Sequence, residues 1–221
     1  MPKLAADFTP HVERLLSAFG REIVGEAGRL LVERCVAFAV LVTEWNERVD
    51  LTAAREPDDL VDLLLADAAA MLRDRPAAKD EEWLDVGSGV GAPGVALALL
   101  DPSLRMKLVE PRAKRVAFLR TLLHTIGRLD VAVERARSET ISDRFCDVAV
   151  SRATLPPRDW LREGGRLARR EVWLLLARED PPDASGWKPE RTIEYQWPLT
   201  QKPRRAVCYR RNLSSSQVVK F

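Results

Sequence analysis

One stretch limits the possible folds more than any other: Trp83-Leu84-Asp85-Val86-Gly87-Ser88-Gly89-Val90-Gly91-Ala92-Pro93-Gly94. Leu84 to Val86 read as a short buried strand. A helix is expected from Pro93, whose fixed φ and missing N–H suit a first helical turn. The glycines between them allow φ > 0 and let backbone N–H groups approach a ligand closely, at a helix N-terminus that adds positive potential. Asp85, at the strand end, offers a carboxylate that can accept hydrogen bonds or face a cation.

Two cofactors compete for such a turn. Gly89-x-Gly91-x-x-Gly94 satisfies the dinucleotide fingerprint, a pattern that is weak alone. The longer string Asp85-x-Gly87-x-Gly89-x-Gly91, with Ser88 and Ala92 in the same turn, instead resembles motif I of the S-adenosylmethionine-dependent methyltransferases. That ligand has no pyrophosphate and is cationic, so an acid just before the glycines suits it better. S-adenosyl-L-methionine is therefore the expected cofactor.

From Trp83 onward the pattern alternates strand and helix, the signature of a parallel sheet covered on both faces. Strands are expected at Trp83–Val86, Met106–Glu110, Val131–Glu134, Asp147–Ser151 and Val172–Ala177. Helices are expected at Pro93–Leu100, Arg112–Ile126 (closed by Gly127) and roughly Pro157–Arg169, with an antiparallel edge hairpin from Arg191–Trp197 and Arg205–Arg211. Ahead of them, Thr9-Pro10 reads as an N-cap and first turn. A second helix spans about Ala27 to Trp45, with Leu30, Leu31, Cys35, Phe38, Leu41 and Trp45 on one face. Glu56-Pro57-Asp58-Asp59 opens a third, whose apolar side includes Leu60, Leu63, Leu64, Ala68 and Met71. Arg73 to Glu82 is the boundary candidate. The expected organisation is a helical extension over 1–76 and a cofactor-binding α/β domain over 77–221. Ser214–Ser216 reads as a loop.

In an open α/β sheet the ligand lies outside the carboxyl ends of the strands. Those ends nominate Glu110, which can accept both ribose hydroxyls; Arg137, Ser138 and Glu139, where an adenine would lie; and Ser151-Arg152, beside the methyl group. Arg152 is also a candidate ion-pair partner for an acid such as Asp67 or Asp85. Cys146 precedes its strand and is poorly placed to attack a pyrimidine ring, and His11 and His124 are isolated. No acid cluster suggests a metal. The remaining acceptor class carries its own lone pair, such as a purine ring nitrogen, and needs positioning more than deprotonation.

Charge is distributed unevenly within a net of +2. Residues 1–80 hold 10 basic and 15 acidic side chains and the remainder 25 and 18, so the catalytic half is basic, which is compatible with a nucleic-acid substrate. Only 7 of the 35 basic residues are Lys, a usage that a GC-rich genome also produces. Trp160, Trp173 and the arginines at 158, 162, 166, 169 and 170 form a candidate RNA surface. Met1 to Gly20 holds acids and lacks the apolar core of a signal peptide, and no apolar run spans a membrane. Cys35, Cys146 and Cys208 are scattered, consistent with a reducing cytoplasm. A monomer is expected.

Taken together, these residues resemble the bacterial glucose-inhibited division protein B family, methyltransferases of guanine N7 in 16S ribosomal RNA. The carrying stretches are Trp45-Asn46 with Leu51-Thr52, Arg55-Glu56-Pro57, Leu84–Gly94, Lys114-Arg115-Val116-x-Phe118-Leu119-Arg120 and Val150-Ser151-Arg152-Ala153. The resemblance implies a class I, Rossmann-like methyltransferase fold behind a helical extension, acting on ribosomal RNA or the small ribosomal subunit. It also implies that Gly87 and Ala92 contact the methionine part of the cofactor, Glu110 its ribose and Ser138-Glu139 its adenine. Arg152 reaches cofactor or substrate, and Arg55 and Asp67 face the RNA. Departures fall on the RNA side. Leu63-Leu64 replace a basic pair, Asp67-Ala68 replace Asp-Ser, and Leu175-Leu176-Ala177-Arg178 replace Ala-Leu-Lys-Gly. The alternatives are a paralogue methylating another nucleic acid or a small molecule, and a non-catalytic module that binds cofactor or RNA.

Overall fold

In the computed structural model the described residues are 7–21, 23–183 and 185–212; Ser214–Ser216 lies outside them. The extension comprises α1 (Thr9–Ala18), α2 (Gly25–Asn46), α3 (Pro57–Val61), a π-helical segment (Asp62–Ala66) and α4 (Asp67–Asp74). The alternating half follows as β1 (Glu82–Val86), α5 (Gly94–Leu100), β2 (Arg105–Val109), α6 (Ala113–Thr125), β3 (Ala132–Glu134), β4 (Cys146–Arg152), α7 (Pro157–Leu167), β5 (Ala168–Leu176), β6 (Trp187–Gln196) and β7 (Pro203–Arg211). The seven strands form one sheet in the order β3-β2-β1-β4-β5-β7-β6, parallel except where β7 pairs antiparallel with β5 and β6.

Period-two alternation divides the strand side chains between two cores. Trp83, Val148, Val150 and Trp173 face α5, α6 and the extension, while Leu84, Ala149, Val172 and Leu174 face α7. α5 is buried along its whole length, packed against β2 on one side and α2 and α4 on the other. One apolar core thus runs from Val12 through Phe38 to Phe118. The Arg73–Glu82 stretch between the halves carries a buried ion pair: Arg75 Nη1 and Nη2 each donate to Glu81 at 2.6 Å, and its Nε lies 3.0 Å from Glu171 on β5.

Several sequence expectations shift. The α1 cap position is Phe8, and the Thr9 N–H is satisfied by Asp7 at 3.0 Å. Leu30 is 42% exposed, and the buried stripe of α2 runs through Val32, Cys35, Phe38, Ala39 and Val42. α5 begins at Gly94 with Pro93 as its cap, because Asp85 receives the Gly94 N–H. α7 ends at Leu167 because β5 starts at Ala168, where Arg169 is drawn to Asp147 and Glu82 at the strands' N-terminal edge (2.9 and 2.7 Å).

Candidate active site

The glycine turn between β1 and α5 has the conformation its sequence requires. Gly87, Gly89 and Gly91 take φ of 69°, 54° and 94°. They serve different ends. A Cβ at Gly87 would meet Thr154 Oγ1 at 2.3 Å, and one at Gly91 would press on Val95, Leu119 and Phe38, so both glycines admit protein neighbours. At Gly89 the nearest atom would be 3.6 Å away, which leaves that backbone open to a ligand. Ser88 and Ala92 are buried beside it, the Ser88 hydroxyl donating to the Asp85 carbonyl.

Two carboxylates flank the turn. Asp85 is 1% exposed and accepts the Gly94 N–H at 3.0 Å. Burial pushes its carboxyl up to about 7, with the Gly94 N–H and the Arg152 cation pulling the other way. Glu110, just past β2, accepts the Gly89 N–H through Oε2 at 3.0 Å and the Arg112 N–H through Oε1 at 2.9 Å. Each oxygen keeps a second lone pair, enough for a diol. Arg137, Ser138 and Glu139 follow β3 in a short 3-10 turn that Arg166 anchors through the Ser138 carbonyl at 2.8 Å.

Beside the turn, at the carboxyl ends of β4 and β5, lies a cavity of about 260 Å³. Leu63, Asp67, Arg152, Thr154, Trp160, Glu179, Tyr195, Trp197 and Arg204 contribute to its lining. The end of β4 is clipped to β1 there: the Ser151 hydroxyl donates to the Val86 carbonyl at 2.7 Å, and Thr154 donates to the same carbonyl at 3.1 Å. Arg152 crosses to the extension, where Nη1 donates to the Leu63 carbonyl inside the π segment and lies 3.4 Å from Asp67 Oδ2. Asp67 Oδ1 accepts the Tyr195 hydroxyl at 2.8 Å and the Trp197 indole N–H at 2.7 Å. The Arg204 guanidinium sits 3.8 Å over the Trp197 ring.

The structure therefore brings Asp67 and Arg152 into one cavity next to Asp85, Gly87 and Glu110. It leaves Arg55 apart, on an exposed loop where its guanidinium donates to the Thr52 and Ala54 carbonyls. Thr154, Tyr195, Trp197 and Arg204 were not identified from sequence; they come from a loop and a distant hairpin with no local motif. The expected RNA surface along α7 and the start of β5 is corrected except at Arg158, which is exposed and has no acid partner among the described residues. Trp160 and Trp173 are buried (3% and 0% exposed). Arg162, Arg166, Arg169 and Arg170 pair with Asp159, Asp143 and Glu163, Glu82 and Asp147, and Glu81. The charge asymmetry is partly internal too. The acidic extension docks the basic half through Asp59–Lys202, Asp67–Arg152 and Asp74–Arg191.

Cys146 opens β4 at the amino-terminal end of that central strand, opposite the cavity, its thiol pushed up to about 12 by burial. His11 is held by Asp58, and His124 occupies the last turn of α6, away from the glycine turn. A cluster of Glu171, Glu190 and Cys208 does form, unforeseen from sequence, but Arg75 and Arg210 sit on its carboxylates at 2.7–3.0 Å. Among the described residues no helix is long and apolar enough to cross a membrane.

The donor set fits S-adenosylmethionine: an open glycine backbone, a diol acceptor in Glu110, and in Asp85 a buried carboxyl that gains most from a cationic neighbour. Comparison with known proteins agrees. A family model described as rRNA small subunit methyltransferase G matches residues 32–178. Among similar proteins, the ribosomal RNA small subunit methyltransferase G of Chromohalobacter salexigens is 33% identical over 80% of this chain and 88% of its own. That of Halorhodospira halophila is 37% identical over 74% and 77%. Among solved structures, a SAM-dependent methyltransferase from Aquifex aeolicus superposes with a TM-score of 0.51 at 17% identity, covering 69% of this chain and 92% of that one, a likeness of fold. The chain belongs to the rRNA small subunit methyltransferase G family and is an S-adenosylmethionine-dependent methyltransferase of the class I α/β fold.

Proposed function

We propose that the chain methylates N7 of a guanine in 16S ribosomal RNA, within the small subunit or a particle on its way to becoming one, in the cytoplasm. The observation that carries this reading is the cavity at the β4 and β5 ends, whose titratable side chains are all engaged. Asp67 has three donors around it. Tyr195 donates to Asp67, and burial together with that carboxylate raises its hydroxyl far above the ordinary range. Glu179 accepts the N–H groups of Ala177 and Arg178 and is held below the usual carboxylate range by backbone N–H groups. Among the described lining residues none is left as a poised general base, which suits an acceptor atom that already carries a lone pair.

Asp85, the glycine turn and Glu110 bind the cofactor, which when bound supplies the electrophilic methyl group. Arg152 spends only Nη1 on the Leu63 carbonyl and Asp67. Its Nε and Nη2 have no protein partner among the described residues and can donate to guanine O6, the neighbour of N7. That contact fixes the purine plane for in-line approach at about 3 Å. The ring becomes cationic as N7 is alkylated, and Asp67 offsets the charge that Arg152 would otherwise hold against it. Arg112, Lys114 and Arg178, near the carboxyl ends of the strands, have no acid partner among the described residues, and each can meet a phosphate.

Incubation of the purified protein with isotopically labelled S-adenosylmethionine and small ribosomal subunits, followed by nucleoside analysis, tests this. Label in 7-methylguanosine is expected; label in any other nucleoside overturns the acceptor assignment.

A further inference from the structure

The edge hairpin of β6 and β7 is remote in sequence from the glycine turn, yet it reaches back across the sheet to the π segment of the extension. Asp62, fully buried, receives the Leu199 and Thr200 N–H groups at 3.2 and 2.8 Å and the Thr200 hydroxyl at 2.8 Å. Five residues on, Asp67 receives Tyr195 and Trp197 on one oxygen and Arg152 on the other. The contacts on Asp67 are unequal. The two neutral donors lie at 2.7–2.8 Å, whereas Arg152 Nη1 stands at 3.4 Å.

We propose that Tyr195 and Trp197 are positioning residues, which hold the Asp67 carboxylate so that Arg152 is oriented by it without being captured by it. A buried carboxylate facing a guanidinium alone draws it into a close, bidentate pair. Here Oδ1 is already occupied twice, so the arginine is held by one nitrogen and keeps its other N–H groups for the cavity. The Trp197 ring is fixed in turn by Arg204, whose guanidinium lies over it at 3.8 Å. The inference rests on the reading that Arg152 meets the acceptor.

A double-mutant cycle tests it, because a residue that acts through Arg152 has nothing to act on once Arg152 is gone. Tyr195→Phe and Trp197→Phe are each expected to lower kcat roughly fivefold or more, with KM for S-adenosylmethionine within about twofold of the parent. In an Arg152→Ala background, followed in single turnovers with excess enzyme, the same substitutions are expected to change the rate by less than about twofold. Arg191→Ala removes a comparable hairpin-to-extension contact outside the cavity, to Asp74 at 3.2 Å, and is expected to leave kcat unchanged. Equal losses in both backgrounds, or full turnover in Tyr195→Phe and Trp197→Phe, overturn the inference alone. Undiminished turnover in Arg152→Ala overturns the role given to Arg152 and the inference with it.

Discussion

Arg152 and Asp67, 85 residues apart in sequence, face each other at 3.4 Å with side chains 18% and 4% exposed. The contact joins the end of β4 to the helical extension inside the cavity. It satisfies an ion-pair role for Arg152 while leaving most of its guanidinium free. Arg152→Ala is expected to lose turnover tenfold or more, about 1.4 kcal/mol of transition-state stabilisation. Because Asp67 keeps two neutral donors, stability should fall by only about 1–2 kcal/mol. Lysine should restore little, since an ammonium cannot hold Asp67 and the acceptor in one plane. Melting curves and turnover on the same variants decide this; a stability loss of several kcal/mol without a specific rate effect would assign Arg152 to the fold.

Asp85 should impose a pH dependence. Its folded carboxyl titrates near 7 against an ordinary 3.8, so the folded protein binds the extra proton between those values. The stability this contributes is complete below about pH 4 and is lost as pH rises to about 7. Asp85→Asn can still accept the Gly94 N–H and should flatten that fall, melting higher than the parent at pH 8. Its affinity for S-adenosylmethionine should drop, because a cationic ligand favours the ionised acid. Melts at pH 5 and 8 with calorimetry at pH 8 check both, and an unchanged pH profile in the variant would refute the assignment.

Much of this was legible in the sequence because each signal was local. The glycine turn, the parallel strands, the Glu110 and Arg152 strand ends and even the edge hairpin follow from periodicity and turn chemistry. The cavity's far wall was not legible. Tyr195 and Trp197 become functional only when the hairpin folds back over Asp67, a long-range pairing without a motif. The arginines of α7 and early β5 misled for the same reason: charge is visible in sequence, but the acids that neutralise it, such as Asp147 and Glu82 for Arg169, are not.

The glycines should separate by function. A Cβ at Gly94 would lie 2.5 Å from Asp85 Oδ2 and 2.7 Å from its Cβ, so Gly94→Ala should disturb the β1–α5 junction and lower the melting temperature markedly. Gly89 has open space, and Gly89→Ala should cost only about 1 kcal/mol for its left-handed backbone. Gly89→Arg should abolish binding of S-adenosylhomocysteine by filling the turn. Calorimetry and melts on the three variants check the order; retained binding in Gly89→Arg would move the ligand elsewhere.

The buried Arg75 holds Glu81, just before β1, and Glu171 on β5 together. Arg75→Ala should cost about 3–5 kcal/mol by taking from two buried acids the one buried cation between them, leaving them only the half-exposed Arg170 and Arg210, and Arg75→Met in a Glu81→Gln, Glu171→Gln background should recover most of it. Chemical denaturation measures both, and a loss below about 1 kcal/mol in Arg75→Ala would contradict the burial of the pair.

The most direct test of the account is a map of N7-methylguanine in the ribosomal RNA of the source organism with and without this gene. Deletion should remove methylation at one guanine of 16S ribosomal RNA, and the wild-type gene, but not an Arg152→Ala copy, should restore it. An unchanged map would contradict the proposed acceptor.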